Sequence, residues 1–399
     1  MQLEQRHYDV SIVGGGMAGG SLALELQQLG LSVVLLEKFQ QNTPVTSSPE
    51  QVIALSWGTV QHLKKLNVWK DIEQLGVSVL RDVHVSQATR RASVELLHDE
   101  EGVDSLGFVV QNQFVVQALY KNLAGKVDII CPAEVVAMSD TGAGKRLLVQ
   151  TSDTQFEIES SLVVGADGTY SQIRHMAGIL SQGWDHNRFA LVASVIPENP
   201  HRHVAYECFR ADGPLAFLPL DSERFSIVWT LKPSDATRMQ QASEMVFLSR
   251  LNMVMGEPLK EKIGRISASS KTRLFPLELR VSKQYSTPHL ALVGNAARTL
   301  HPMAGQGMNI SMRDVADLSA CVQAGLNQNQ QAGDARVLAA YAAGRKKDQR
   351  RTVALTEGLN LLFNHKNPAL HCLNQGGLRL LSHLSFLRHQ VSKQAAGLV

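Results

Sequence analysis

Three short stretches of this 399-residue chain combine residue types whose spacing could do chemistry. The first is Gly14, Gly16 and Gly19. They follow the apolar run Tyr8–Val13 and open a segment, Ser21–Leu29, with apolar residues at helical spacing. Gly30 stops that segment, and a second apolar run, Val33–Leu36, ends at Glu37. Strand, glycine turn, helix and strand make a βαβ unit opening with G-x-G-x-x-G, a pattern that binds dinucleotides. Gly14 permits the tight turn, Gly16 lets a pyrophosphate approach the backbone, and Gly19 lets the helix pack closely on the sheet. The helix start offers N–H groups and a partial positive charge to the phosphates. Glu37 lies 23 residues after Gly14 (37 − 14). A carboxylate there can accept hydrogen bonds from both hydroxyls of an adenosine ribose, and it repels a 2′-phosphate. The pattern alone does not separate FAD from NAD.

The second stretch, Leu162–Arg174, reads LVVGADGTYSQIR. It places Asp167 at the carboxyl end of a strand, where ligands of open α/β sheets bind. The third, Leu292–Asn309, reads LVGNAARTLHPMAGQGMN. A strand ends at Gly294, and Asn295 can hydrogen-bond a polyhydroxyl chain. His301–Pro302 fixes the turn. Gly305, Gln306 and Gly307 then expose backbone N–H groups before a helix from Met308. A flat ring can lie against such glycines. The helix start can stabilise negative charge on it, as on a reduced isoalloxazine.

The remaining sequence must position these turns. At 399 residues, two domains with a tail are expected. Hydrophobic residues at 44% and charged residues at 19% describe a folded globular chain. A net charge of +3 does not argue for nucleic acid. No run of about 18 apolar residues predicts a membrane span, and no signal peptide is read at the N-terminus, so a cytoplasmic setting is expected. The four cysteines, Cys131, Cys208, Cys321 and Cys372, are widely spaced, which argues against a disulfide framework or a zinc site. His201 and His203 are read as solvated loop histidines rather than metal ligands. Helices are expected at Val52–Leu66, Asn112–Leu123, Gln240–Val254, Met308–Ala324 and Arg336–Leu362. The segment DTGAGK, Asp140–Lys145, is read as a hairpin turn rather than a phosphate loop. Strand-rich segments at 76–104 and 187–276 interrupt the α/β pieces. The reading is therefore an α/β protein: a discontinuous Rossmann-like nucleotide domain (1–75, 105–186 and 277–340) with an inserted β-sheet substrate domain and C-terminal helices (341–399).

The three motifs, in this order and at these spacings, resemble the class A flavoprotein aromatic hydroxylases, which share the para-hydroxybenzoate hydroxylase fold. The third motif is most similar to the ubiquinone-biosynthesis hydroxylases that act on polyprenyl phenols, where G-N-A-A also occurs. The stretches IALSWGTVQHLKKLNVW (53–69), GPLAFLPL (213–220) and MRDVADL (312–318) agree. The resemblance implies FAD as cofactor and NAD(P)H as electron donor, with no second nucleotide fold for the donor. It implies ring hydroxylation of a lipid-soluble polyprenyl phenol with O2, through a flavin C4a-hydroperoxide from which water must be excluded. Carried over by residue, Gly14, Gly16 and Gly19 hold the pyrophosphate and Glu37 the ribose. Asn112 meets the ribityl–phosphate region, Asp167 lies near the adenosine, and Gly294 and Asn295 serve the ribityl chain. Pro302, Gly305, Gln306, Gly307, Met308 and Asn309 border the ring. Gln51 stands where the family often has an arginine reaching the pyrophosphate, and Lys38 is a candidate to compensate. Leu215, Phe217 and Pro219 are the expected substrate contacts, and His301 and Pro302 the candidate catalytic residues. No metal is implied. Other readings on this fold are a prenyl reductase, a halogenase (whose W-x-W-x-I-P signature is absent) and a non-catalytic scaffold. After Glu357 the chain is basic and amphipathic, a candidate surface for an anionic membrane or for other ubiquinone-biosynthesis proteins.

Overall fold

The structure is a computed structural model that describes residues 3–39, 52–87, 90–210, 212–299, 306–348, 392–393 and 396–398. Its first sheet is built around the strand Gln5–Val13, paired in parallel with Gln155–Gly165 on one side and Val33–Leu36 on the other. Leu290–Leu292 and Asp128–Ile130 extend the parallel part at its two ends. Val33–Leu36 is buried at all four positions, as expected of a strand with both faces covered. The helices Met17–Gln28, Asn112–Leu123 and Gln306–Leu326 share its core through Leu22, Leu26, Val115, Leu119, Val315 and Leu318. The segment DTGAGK turns a hairpin between Glu134–Asp140 and Lys145–Gln150, which hangs antiparallel on Gln155–Gly165.

Among the described residues the second sheet has nine strands. Its main order is Arg298–Thr299, Arg273–Ser282, Ser181–Pro197, Phe225–Leu231, Leu215–Pro219, Val204–Phe209, Asp82–Gln87 and Arg90–Leu96. Helices Pro233–Gln241, Glu244–Val254 and Glu257–Ile263 contribute to one core with a single face of this sheet. A third, three-stranded sheet (Val52–Ser56, Gly107–Gln111 and Val77–Leu80) lies against the other face, through Leu80, Val109, Ala205 and Leu218.

Several expectations are corrected. Val52–Leu66 is not one helix: Val52–Ser56 is a strand paired with Gly107–Gln111, and the helix is Trp57–Lys65. The β-branched Val52 and Ile53 suit the strand. Ser56 Oγ accepts the Thr59 N–H at 3.4 Å and starts the helix. Gln240–Val254 is likewise broken, because Ser243 caps a new helix at Glu244. Ser181–Pro197 and Arg273–Ser282 span the expected boundaries at 186/187 and 276/277, and their ladder is irregular there: pairing passes from Asp185↔Glu278 to Phe189↔Pro276, and Asn187 has φ +50°. His201 is not solvated: it is buried, and its ring meets the Asp221 carbonyl. Residues 335–348 are helical. Apart from five residues near the C-terminus, the basic stretch beyond 348 lies outside the described residues.

Candidate functional site

The three motif turns leave the same end of three adjacent strands. Val13 is in register with Gly165, and Gly165 with Leu292. Contact between the turns dictates the glycines. Gly14 has φ +107°, and a β-carbon there would lie 2.4 Å from the Ala166 carbonyl oxygen of the second turn. A β-carbon on Gly19 would lie 1.9 Å from the Gly14 oxygen. A β-carbon on Gly16 would meet nothing within 4 Å. Gly16 is therefore not required by the protein's own packing, and the space beside it is open to a ligand. The Met17–Gln28 helix begins there with no side-chain cap and no acid in its first turn, so its N–H groups face outward undisputed.

Side chains the sequence did not single out hold the turns together. Tyr120 lies so close beneath the first turn that a β-carbon on Gly15 would be 1.9 Å from its hydroxyl. Arg174 donates to Thr169 O in the second turn and to Ala296 O in the third, each at 2.8 Å. Asp314, fully buried, accepts the Gly294 N–H at 2.9 Å. It also accepts from Arg298 at 2.9 Å and Arg345 at 3.1 Å. Removing one member of such a buried ionic set leaves the others uncompensated, which costs about 3–5 kcal/mol. The sequence signal was faint: Asp314 lies in MRDVADL, but nothing local names its partners.

Glu37 stands beside the first turn, accepting from Gly15 N at 2.6 Å and Phe39 N at 2.9 Å. Each oxygen keeps acceptor capacity for a hydroxyl. Asn112 opens the Asn112–Leu123 helix, and its Oδ1 is buried with no hydrogen-bond partner among the described residues. Asn295 is exposed at the end of the third parallel strand, and Gly307, like Gly16, has open space where a β-carbon would be. The open glycines, the uncapped helix start and the orphaned amide oxygen fit an extended dinucleotide.

Other expected contacts are committed elsewhere. Lys38 donates to Glu134 at 2.7 Å. Asp167 accepts from Ser171 Oγ and Ile173 N, and so caps the short Gln172–Met176 helix. Asn309 accepts from Ser56 N and Thr59 Oγ1 and donates to Ala54 O, tying the long helix to the 52–59 segment. Met308 is partly buried against the first core. Leu215 and Phe217 are fully buried in the helix-covered core of the second sheet. Pro219, buried too, shares their face. These three side chains therefore face the helix-covered core rather than the open side of the sheet, which corrects the expectation that they line a substrate cleft. Gln51, His301, Pro302, Gly305 and the Gln306 side chain lie outside the described residues.

A sequence model described as "FAD binding domain" matches residues 7–356. The 3-demethoxyubiquinol 3-hydroxylase of Escherichia coli K12 is 31% identical over 98% of both chains. The mitochondrial ubiquinone biosynthesis monooxygenase COQ6 of Rattus norvegicus is 25% identical, over 96% of this chain and 90% of its own. Among solved structures, p-nitrophenol 4-monooxygenase from Pseudomonas putida DLL-E4 superposes with a TM-score of 0.77 over 98% of both chains. At 17% identity that likeness shows the fold alone. With most of its length matched and its three turns meeting at one sheet end, the chain belongs to the FAD-binding family that includes the ubiquinone-biosynthesis hydroxylases.

Proposed function

We propose that this protein hydroxylates the aromatic ring of a polyprenylated phenol in ubiquinone biosynthesis, using FAD, NAD(P)H and O2. The observation that carries this reading is the abutment of three glycine turns at one end of the parallel sheet. Bound FAD supplies the chemistry, taking electrons from NAD(P)H and activating O2. The chain's residues bind and orient it. Gly14 and Gly19 fix the turn, and Gly16 with the uncapped helix start receives the pyrophosphate. Glu37 takes the ribose hydroxyls, Asn112 offers its orphaned oxygen, and Asn295 meets the ribityl chain. Asp167 acts by capping the helix beside the adenosine end rather than by direct contact. Gly307 and Met308 border the ring. The first and third sheets form the FAD half, and the nine-stranded sheet forms the substrate half. The basic amphipathic stretch after Glu357 brings the protein to the membrane that holds its lipid-soluble substrate.

Purified protein tests this directly. It should be yellow, and a 2-prenylphenol should stimulate its NAD(P)H oxidation and be hydroxylated. Cells lacking the protein should accumulate an under-hydroxylated quinone precursor. A colourless protein that FAD cannot reconstitute would overturn the reading in favour of a scaffold.

A further inference from the structure

Alternation along the nine-stranded sheet assigns each residue to a face. The helix-covered face takes Tyr206, Cys208, Leu215, Phe217, Ile227 and Trp229. On the opposite face, Ala205 and Leu218 rest on the three-stranded sheet. One step further along, a single rung crosses five neighbouring strands: Val85, Glu207, Ala216, Val228 and Val192. All five are partly exposed, and four are apolar. Glu207 is the one carboxylate in this wall. Among the described residues no hydrogen bond or ion pair reaches it. The residues sharing its face on its own and nearby strands (Val83, Val85, Ala205, Ala216, Leu218, Ser226, Val228) and on the small sheet (Val52, Leu80, Val109) carry no charge, and the other charged residue on this rung is the exposed Arg273, opposite Val192 on the far side of the wall. Its titratable chain neighbours Tyr206 and Cys208 face the helix-covered core, and Arg210 pairs with Asp212 beyond the strand end. Holding a carboxylate in a half-buried apolar wall without a partner is unfavourable, and such a group calls for an explanation.

We propose that Glu207 contacts the phenolic hydroxyl of the substrate and accepts its proton. This rests on the hydroxylase reading above. The step balances on its own: the phenol O–H bond breaks, its electron pair stays on the phenol oxygen, and the proton bonds a Glu207 carboxylate oxygen. No electron changes hands. The resulting phenolate is a more electron-rich ring for hydroxylation. Desolvation pushes the Glu207 carboxyl up to about 7, which suits a base working near neutral pH.

The test uses full-length, FAD-loaded wild type, Glu207→Gln and Glu207→Asp, with 2-prenylphenol and a more acidic ring-fluorinated 2-prenylphenol. Wild-type hydroxylation should rise with pH through an ionisation near neutrality. Glu207→Gln should lose that ionisation and fall by about a hundredfold or more, with FAD content kept. Glu207→Asp should retain the ionisation. The fluorinated phenol, needing less help to ionise, should narrow the gap between wild type and Glu207→Gln. A readout without turnover supports the same assignment. The raised carboxyl makes the fold less stable as pH rises from about 4.5 through 7. Glu207→Gln should therefore melt above wild type at pH 8 and level with it at pH 4. An unchanged pH profile with no fluorine effect in Glu207→Gln overturns the assignment alone. A wild type that holds FAD but hydroxylates neither phenol overturns the function and the assignment together.

Discussion

The two large sheets constrain their residues by opposite means. The parallel sheet works with backbone: its turns approach so closely that a β-carbon on Gly14 or Gly19 would strike main chain. The nine-stranded sheet works with side chains: Leu215 and Phe217 are sealed in a core, while Ala216 between them faces the open side. A backbone site restricts residue type and so announces itself. A sheet-face site depends on parity, and a shift of one residue exchanges core for cleft.

Each half can be broken at its rigid positions. Gly19→Val carries the largest expected effect. Its β-carbon would sit 1.9 Å from the Gly14 oxygen, an atom of the main chain that cannot swing away. We expect no cooperatively folded protein, as read by thermal melting and near-UV circular dichroism. Phe217→Ala comes next. The ring is fully buried, 5.6 Å from that of Phe225 in an edge-to-face pair. Its removal should cost about 3–5 kcal/mol in urea denaturation. A loss under about 1 kcal/mol would mean that Phe217 is not core and that parity has been misassigned.

These contrasts explain what the sequence disclosed. The βαβ unit and its acid were legible because Gly14, Gly19 and Glu37 act within one local unit of the chain. The two-sheet α/β layout was legible from where the strand-rich segments fall. The ties between turns were not, since Arg174 joins Thr169 to Ala296 and Asp314 joins Gly294 to Arg345 across long sequence separations. Val52–Ser56 reads as helix in sequence because five apolar and small residues lead straight into a true helix, and only pairing with Gly107–Gln111 decides between the two. For Leu215, Phe217 and Pro219, the alternation along the strand is plain in the sequence, but its inward direction is not. That direction is fixed by helices 14 or more residues further along the chain.

The last two substitutions probe open space rather than packing. Gly16→Val should leave the fold within about 1 kcal/mol of wild type, because the residue is extended (φ −69°, ψ −172°) and its β-carbon meets nothing. The purified variant should nonetheless lose its flavin absorbance. Full retention of FAD would mean that the pyrophosphate does not lie against this glycine. Ala216→Leu carries the smallest structural effect. Its side chain points away from the sealed core, into the rung that holds Glu207. Stability should stay within about 0.5 kcal/mol, while KM for 2-prenylphenol rises several-fold as the added carbons take up substrate space. Set beside Phe217→Ala, it places two neighbouring residues on opposite sides of one strand, one read by denaturation and the other by kinetics. If Ala216→Leu leaves KM and kcat untouched, the open face is not the substrate wall, and the polyprenyl phenol must approach the ring from elsewhere.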